Sequence, residues 1–208
     1  FCFSDQDDVW NKLKLEIMFD ELSLHENING SNLPILVYSD LEVVDANLKL
    51  INKSFMNHQD ICHPSHPHRV LVVQNTVTGC ATMFNKSLLN ICVNLPKNII
   101  VHDWWFAVCA ATCGLITYIE LPLVKYRQHG NNQIGVSVHR NYLNPLRKDF
   151  YKKILSSKAS FKKVFNQAED LLKLKKYFLN KNFERDITIF CNLKKVGFIK
   201  RIIYLQKI

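Results

Sequence analysis

An uncharged run of 16 residues, 104–119, limits the folds open to this chain more than any other segment. The run lies between Asp103 and Glu120 and is interrupted by one glycine and two threonines. A membrane-spanning helix needs about 20 consecutive apolar residues, so this run is too short to cross a bilayer. We therefore predict a buried helix, ended by Gly114, followed by a strand inside a globular domain.

Strand-like and helical patterns alternate along the first 139 residues. Short apolar runs of strand length are followed by segments whose apolar residues repeat with helical spacing. This alternation predicts an α/β fold. The predicted strands are 1–3, 35–38, 76–84, 116–119 and 123–126, the predicted helices are 9–21 and 103–113, and 52–69 is predicted to be a polar loop.

The charge of the chain changes sign near residue 140. Residues 1–139 carry 9 basic and 13 acidic side chains, net −4, whereas residues 140–208 carry 18 and 5, net +13. The second part is rich in lysine and has helical apolar spacing, so we predict a domain at 1–139 and a basic extension of two or three helices at 140–208. The seven cysteines contain no C-x-x-C pair and are predicted to be buried thiols in a reducing compartment.

The basic extension has three interpretations. It could bind nucleic acid, but it contains no recognisable nucleic-acid module, so we expect no nucleic-acid partner. It could be a solvated helical face. It could also bind an anionic membrane, where each Lys or Arg near the surface contributes roughly 1 kcal/mol. We expect the third, with a protein that is cytoplasmic and peripheral to the inner face of the cell membrane.

Three carboxylates follow the first predicted strand, at Asp5, Asp7 and Asp8. Acids this close repel one another unless a cation or hydrogen-bond donors neutralise them. Hard oxygen ligands of this kind select Mg²⁺ or Mn²⁺, which complete their coordination with substrate phosphates. The alternative for Asp8 is an N-cap of the helix predicted to begin at Val9.

Two further positions could carry chemistry. Asp103 precedes Trp104 and Trp105, and a carboxylate partly desolvated by aromatic neighbours has a raised pKa, which suits a general base. The alternative is again an N-cap, here of the buried helix. His129 lies in a polar cluster that ends the last predicted strand, where it could be a metal ligand or a loop histidine.

Five segments occur in order within about residues 1–137: FSDQDDVW, LVYSDLEVVD, NTVTGCATMFNKSLL, HDWWFAV and PLVKYRQHGNN. With these segments, the chain resembles the inverting glycosyltransferases of family 2, and particularly their rhamnosyltransferase-like branch. The resemblance implies the GT-A fold, a mixed α/β sheet flanked by helices, whose first half binds the nucleotide and whose second half binds metal and acceptor. Because the chain begins at the DxD-type motif, we expect a fragment that lacks the nucleotide-binding half.

The resemblance also implies roles for individual residues. Asp5 and Asp7 would hold Mg²⁺ or Mn²⁺ and, through it, the donor diphosphate, with Asp7 as the principal ligand and His129 as a further contact. Asp103 would be the general base, although His102 stands where relatives have the first acid of a pair. Gly79 would leave room for sugar on the acceptor side. The other residues expected to bind substrate are Trp104, Trp105, Arg127 and Gln128.

The expected activity is that of a metal-dependent glycosyltransferase. The enzyme would move a sugar, with dTDP-rhamnose as the expected donor, to a cell-surface polysaccharide or a lipid-linked glycan. The alternative is a membrane-associated binding domain that keeps a degenerate or truncated GT-A fold and transfers nothing.

Overall fold

A computed structural model gives the fold, and it describes residues 1–59, 61, 66–128 and 150–195, with the backbone alone for 150–159 and 195. The predicted α/β class is confirmed, because a mixed sheet is flanked by helices. The strands are β1 (Val9–Trp10), β2 (Ile35–Val44), β3 (Leu50–Asn52), β4 (Thr82–Phe84) and β5 (Leu115–Arg127). The helices are α1 (Lys14–Asn29), α2 (Phe55–His58), α3 (Pro67–Val73), α4 (Lys86–Cys92), α5 (His102–Cys113), α6 (Phe150–Leu172) and α7 (Lys181–Asn192).

The centre of the sheet is the parallel pair formed by β2 and β5. β1 runs antiparallel to β5, while β3 and β4 run antiparallel to β2, so the strand order is β1-β5-β2-β3 with β4 also on β2. The sequence predicted two strands separated by Pro122, but β5 is continuous. Pro122 instead lies where the β2–β5 register shifts, opposite Asp40, because proline cannot donate a ladder hydrogen bond.

The predicted helix at 9–21 is wrong at its start. Val9 and Trp10 pair with Lys125 and Val124 of β5, and α1 begins only at Lys14. Pairing with a strand more than 100 residues away outweighs the local helical pattern. Asp8 therefore precedes a strand, and its interpretation as an N-cap is wrong.

Three other predicted segments also differ from the structure. The strand predicted at 1–3 is reduced to an isolated bridge between Cys2 and Met83. Within the strand predicted at 76–84, a 3₁₀ turn spans Gly79–Ala81 and β4 follows it. The segment predicted to be a polar loop at 52–69 contains α2 and the beginning of α3. The sequence correctly indicated an interruption of the strand at Gly79, whereas the prediction of a loop is wrong at 55–58 and 67–69.

Helix α5 confirms the prediction made from the uncharged run. All residues of α5 from Trp104 onward are buried, because the helix is packed between the sheet and the other helices of the core. A helix enclosed on every side has no polar face, which accounts for its uncharged sequence. Among the described residues, no helix is both long enough and apolar enough to cross a membrane.

The helices of the basic extension share this core. The predicted helical character is confirmed for α6 and α7, whereas the predicted boundary near residue 139 lies outside the described residues. Apolar side chains of 164–193 belong to the same buried cluster as Trp104 and Trp105. These side chains are Val164, Phe165, Ala168, Leu171, Ile187, Phe190 and Leu193.

A charged contact joins α7 to α3. Asp186 Oδ2 accepts a hydrogen bond from Arg69 Nε at 3.0 Å, and His68 Nε2 lies 3.6 Å from the same oxygen. Burial opposes the charged form of Asp186, but the hydrogen bond and charge of Arg69 outweigh it and lower its pKa. Burial is also the largest influence on His68, whose pKa is lowered despite Asp186. Both groups therefore favour their deprotonated forms in the folded protein.

This contact predicts acid sensitivity. Asp186 contributes fully to the free energy of unfolding above its unfolded pKa, and this contribution is lost as the pH falls through its lowered folded pKa. Neutral His68 contributes fully above its unfolded pKa of about 6.5, and its contribution declines at lower pH. Asp186→Asn is expected to reduce the free energy of unfolding at pH 7 by about 1–3 kcal/mol. The measurement is urea unfolding at pH 7, at pH 5, where only the His68 contribution has declined, and at pH 3, where that of Asp186 declines as well.

Glu184→Gln is the matched control for this variant. Glu184 lies on the same helix and pairs with Lys175 at 2.8 Å, but both side chains are exposed. Exposed pairs contribute about 0–1 kcal/mol, so this control is expected to be close to the wild type. Equal losses in the two variants would contradict the prediction.

Candidate functional site

The acidic loop, residues 4–8, lies against the end of β5. Asp8 Oδ1 accepts a hydrogen bond from Arg127 N at 3.1 Å, and Arg127 Nε donates to the carbonyl of Asp7 at 2.8 Å. The guanidinium of Arg127 also donates to the carbonyl of Ala46, just beyond β2. Arg127 thus holds the loop at the carboxyl ends of both parallel strands.

Asp5 and Asp8 come together with Cys80. One oxygen of each carboxylate and the Cys80 sulfur all lie within 4.8 Å of one another. Asp5 is exposed, Asp8 is half-buried and Cys80 is 1% exposed. Burial raises the pKa of Asp8 and, more strongly, that of Cys80. Cys80 is therefore a neutral thiol that hydrogen-bonds Asp8, and the two carboxylates are the hard donors that suit Mg²⁺ or Mn²⁺.

The predicted metal ligands Asp5 and Asp7 do not lie in the same group of side chains. Asp5 belongs to the carboxylate group, Asp8 joins it, and Asp7 is not a member of that group. The backbone carbonyl of Asp7 binds Arg127. His129 lies outside the described residues, so its contact with a metal stays a prediction, as does that of the Asp7 carboxylate.

Lys14 is a charged residue of the site that the sequence interpretation missed. It is fully buried, donates from Nζ to the carbonyl of Cys80 at 2.6 Å, and lies over the Trp10 ring at 3.4 Å from its centre. Burial lowers the pKa of Lys14 to about 8, although nearby acidic groups oppose the shift. The signal was present in the sequence, because Lys14 shares a helical stripe with the buried Met18 and Leu22.

Asp103 contacts Gly79, the residue before Cys80. Its Oδ2 accepts a hydrogen bond from Gly79 N at 3.0 Å, and its Oδ1 accepts from Trp104 N at 2.6 Å and from Asn75 Nδ2 at 3.3 Å. The N-cap of α5 is Val101, so the N-cap alternative for Asp103 is wrong. Burial raises the pKa of Asp103, while the N–H groups of Trp104 and Gly79 oppose the shift.

The 3₁₀ turn that begins at Gly79 contacts both Asp103 and the pair formed by Asp5 and Asp8. Gly79 binds Asp103, its neighbour Cys80 contacts Asp5 and Asp8, and the charge of Asp5 contributes to the raised pKa of Asp103. A Cβ on Gly79 would lie 3.2 Å from Asp103 Cβ. The space beside this glycine therefore holds the Asp103 side chain, which is a different reason for glycine from the room for sugar expected above.

The remaining predicted substrate-binding residues take part in structural contacts. Trp104 and Trp105 are 8% and 1% exposed, and Trp104 Nε1 donates to the carbonyl of Leu71. Arg127 binds the acidic loop, and the backbone N–H of Gln128 donates to the carbonyl of Val44 at 2.8 Å. Because both tryptophans are buried, the structure does not support their contact with a substrate. The assignments of Trp104, Trp105, Arg127 and Gln128 to substrate binding stay predictions.

Comparison with known proteins relates the chain to one class of enzyme. No family model matches the chain. It is 29% identical over 140 residues to the dTDP-rhamnosyl transferase RfbG of Shigella flexneri, a match that covers 66% of this chain and 45% of that protein. The chain thus spans about half the length of this curated relative. At this low identity and partial coverage, the similarity supports a relationship to the glycosyltransferases.

Proposed function

We propose that the protein transfers a sugar from a nucleotide-activated donor to a glycan acceptor, with Asp103 as the general base. One observation carries the proposal: a half-buried carboxylate with a raised pKa, that of Asp103, shares the Gly79–Cys80 turn with the acids Asp5 and Asp8. A carboxylate that holds its proton more tightly is a better base. The name of the Shigella relative supports dTDP-rhamnose as the donor.

The reaction is a single displacement at the anomeric carbon. Asp103 takes the proton of an acceptor hydroxyl, the hydroxyl oxygen forms the new bond to the anomeric carbon, and the bond to the diphosphate breaks with inversion. Asp5 and Asp8 would hold Mg²⁺ or Mn²⁺, and Asp7 and His129 are the further proposed ligands. When bound, such an ion supplies positive charge that stabilises the departing nucleoside diphosphate.

The acceptor is proposed to be a cell-surface polysaccharide or a lipid-linked glycan. The net charge of +13 over residues 140–208 supports contact with an anionic membrane, where lipid-linked acceptors are found. The same charge would also suit a binding domain that transfers nothing. Measurement of transfer itself distinguishes these two functions.

The test removes both carboxylates of the proposed metal site in the full-length protein. Asp5→Asn combined with Asp8→Asn is expected to weaken Mn²⁺ binding at least about 10-fold, because two charged ligands become neutral. Rhamnosyl transfer from dTDP-rhamnose to a lipid extract is expected to fall at least about 10²-fold. Calorimetry measures the first effect and radiolabel incorporation the second.

Glu16→Gln combined with Asp20→Asn is the matched control. These two acids are exposed on α1, so the control removes the same charge without altering the site. The control should bind Mn²⁺ and transfer sugar as the wild type does. Transfer that survives both a chelator and the Asp5/Asp8 variant would overturn metal dependence, and a wild type that binds donor but transfers nothing would support the binding domain.

A further inference from the structure

Asn75 approaches the proposed base from a separate segment of the chain. It lies between α3 and the Gly79 turn, and its side chain is partly buried. Its Oδ1 accepts a hydrogen bond from Val77 N at 3.0 Å, and its Nδ2 donates to Asp103 Oδ1 at 3.3 Å. Flipping the amide would place NH₂ against an N–H and oxygen against a carboxylate, so the two partners determine its orientation.

Asn75 donates its hydrogen bond to Asp103 from a side chain, whereas the other described donors are backbone N–H groups. Within the described residues, this carboxylate accepts hydrogen bonds from Gly79 N, Trp104 N and Asn75 Nδ2. The two backbone donors belong to the turn and to α5. Asn75 therefore ties the carboxylate to a third part of the chain, which limits rotation of its plane.

We propose that Asn75 is a positioning residue for Asp103, which holds the carboxylate plane and stabilises its charged form. The inference rests on the proposed function, because positioning has a catalytic effect only if Asp103 is the base. Two other titratable groups act on Asp103: His102, next to it on α5, favours the charged form, and Asp5 of the acidic loop opposes it. The hydrogen bond from Asn75 adds to the effect of His102.

Asn75 has two roles that can be separated, because its Oδ1 accepts from Val77 N in a local turn while its Nδ2 donates to Asp103. Two substitutions keep the first hydrogen bond and remove the second. In Asn75→Ser, the hydroxyl can still accept from Val77 N–H but is too short to reach Asp103. In Asn75→Asp, the acceptor for Val77 is kept and the donor becomes a like charge. Loss of the donor should raise the pKa of Asp103 in the first variant, and repulsion should raise it further in the second.

The experiment compares the titration of Asp103 with the pH dependence of transfer. In the full-length protein, carboxyl ¹³C NMR, assigned with Asp103→Asn, should show a pKa higher by roughly 0.5–1 in Asn75→Ser. The acid limb of kcat for transfer from dTDP-rhamnose to a lipid extract should move upward by the same amount. At pH values below the Asp103 pKa measured in the wild type, we expect kcat to fall about 3–10-fold, with little change in the KM for donor.

Asn98→Ser is the matched control, because Asn98 Nδ2 donates at 3.0 Å to the buried Asp170, away from the site. This control should leave the Asp103 titration and the acid limb unchanged. An Asp103 titration that is unchanged in both Asn75 variants overturns the inference. A shifted titration without a matching shift of the acid limb overturns the role of Asp103 as base, and with it the proposed function.

Discussion

Replacing Asp103 by Asn is expected to slow sugar transfer by about 10²–10⁴-fold, because the amide cannot accept the proton of the acceptor hydroxyl. The amide oxygen can keep the hydrogen bonds from Trp104 N and Asn75 Nδ2, whereas its NH₂ group would face Gly79 N. The variant should therefore fold, with a free energy of unfolding lower by about 1–3 kcal/mol. Transfer is measured with dTDP-rhamnose in the full-length protein, and donor binding is measured separately by calorimetry.

Asp45→Asn is the matched control for Asp103→Asn. The Asp45 carboxylate also accepts backbone hydrogen bonds, from Asn47 N and Lys49 N, both at 2.9 Å, but it lies in the turn between β2 and β3. The control is expected to lose some stability and to keep its turnover. Near-wild-type transfer by a folded Asp103→Asn protein would show that Asp103 is not the general base.

Replacing Gly114 by Ala is expected to have the largest effect on stability. The added Cβ would lie 1.8 Å from the backbone carbonyl oxygen of Pro34, a distance that two non-bonded heavy atoms cannot adopt. That carbonyl accepts the hydrogen bond from Leu115 N at 2.8 Å, next to the first pair of the β2–β5 register. The backbone would have to separate there, so we expect a loss of about 3 kcal/mol or more in urea unfolding.

Gly30→Ala provides the comparison for this loss. Gly30 has a positive φ of 85°, but nothing lies within 4 Å of the position of its Cβ. Alanine there is expected to cost about 1–3 kcal/mol through backbone conformation alone, because φ 85° with ψ 147° is a combination that residues other than glycine rarely adopt. If Gly114→Ala loses no more stability than Gly30→Ala, the close approach of Pro34 is not what requires glycine at position 114.

Local patterns in the sequence were sufficient to predict the elements that depend on their own residues. The uncharged run predicted α5 and its end at Gly114, since a helix enclosed by protein needs apolar residues on every face. The lysine-rich spacing predicted the helices α6 and α7. The same reasoning singled out Asp5 and Asp103, which the structure brings to neighbouring residues of one turn, Cys80 and Gly79.

The tertiary structure decided everything that depends on residues distant in the chain. Val9 lies in a strand because β5 pairs with it, and Lys14 is buried because Cys80 offers its carbonyl to the ammonium. Glycine is required at position 114 by the approach of the Pro34 backbone, and Gly79 leaves space for the Asp103 side chain, although neither neighbour is close in sequence. Steric contacts and hydrogen bonds across the fold are absent from any local pattern, so the sequence could indicate these residues but not the reason for each.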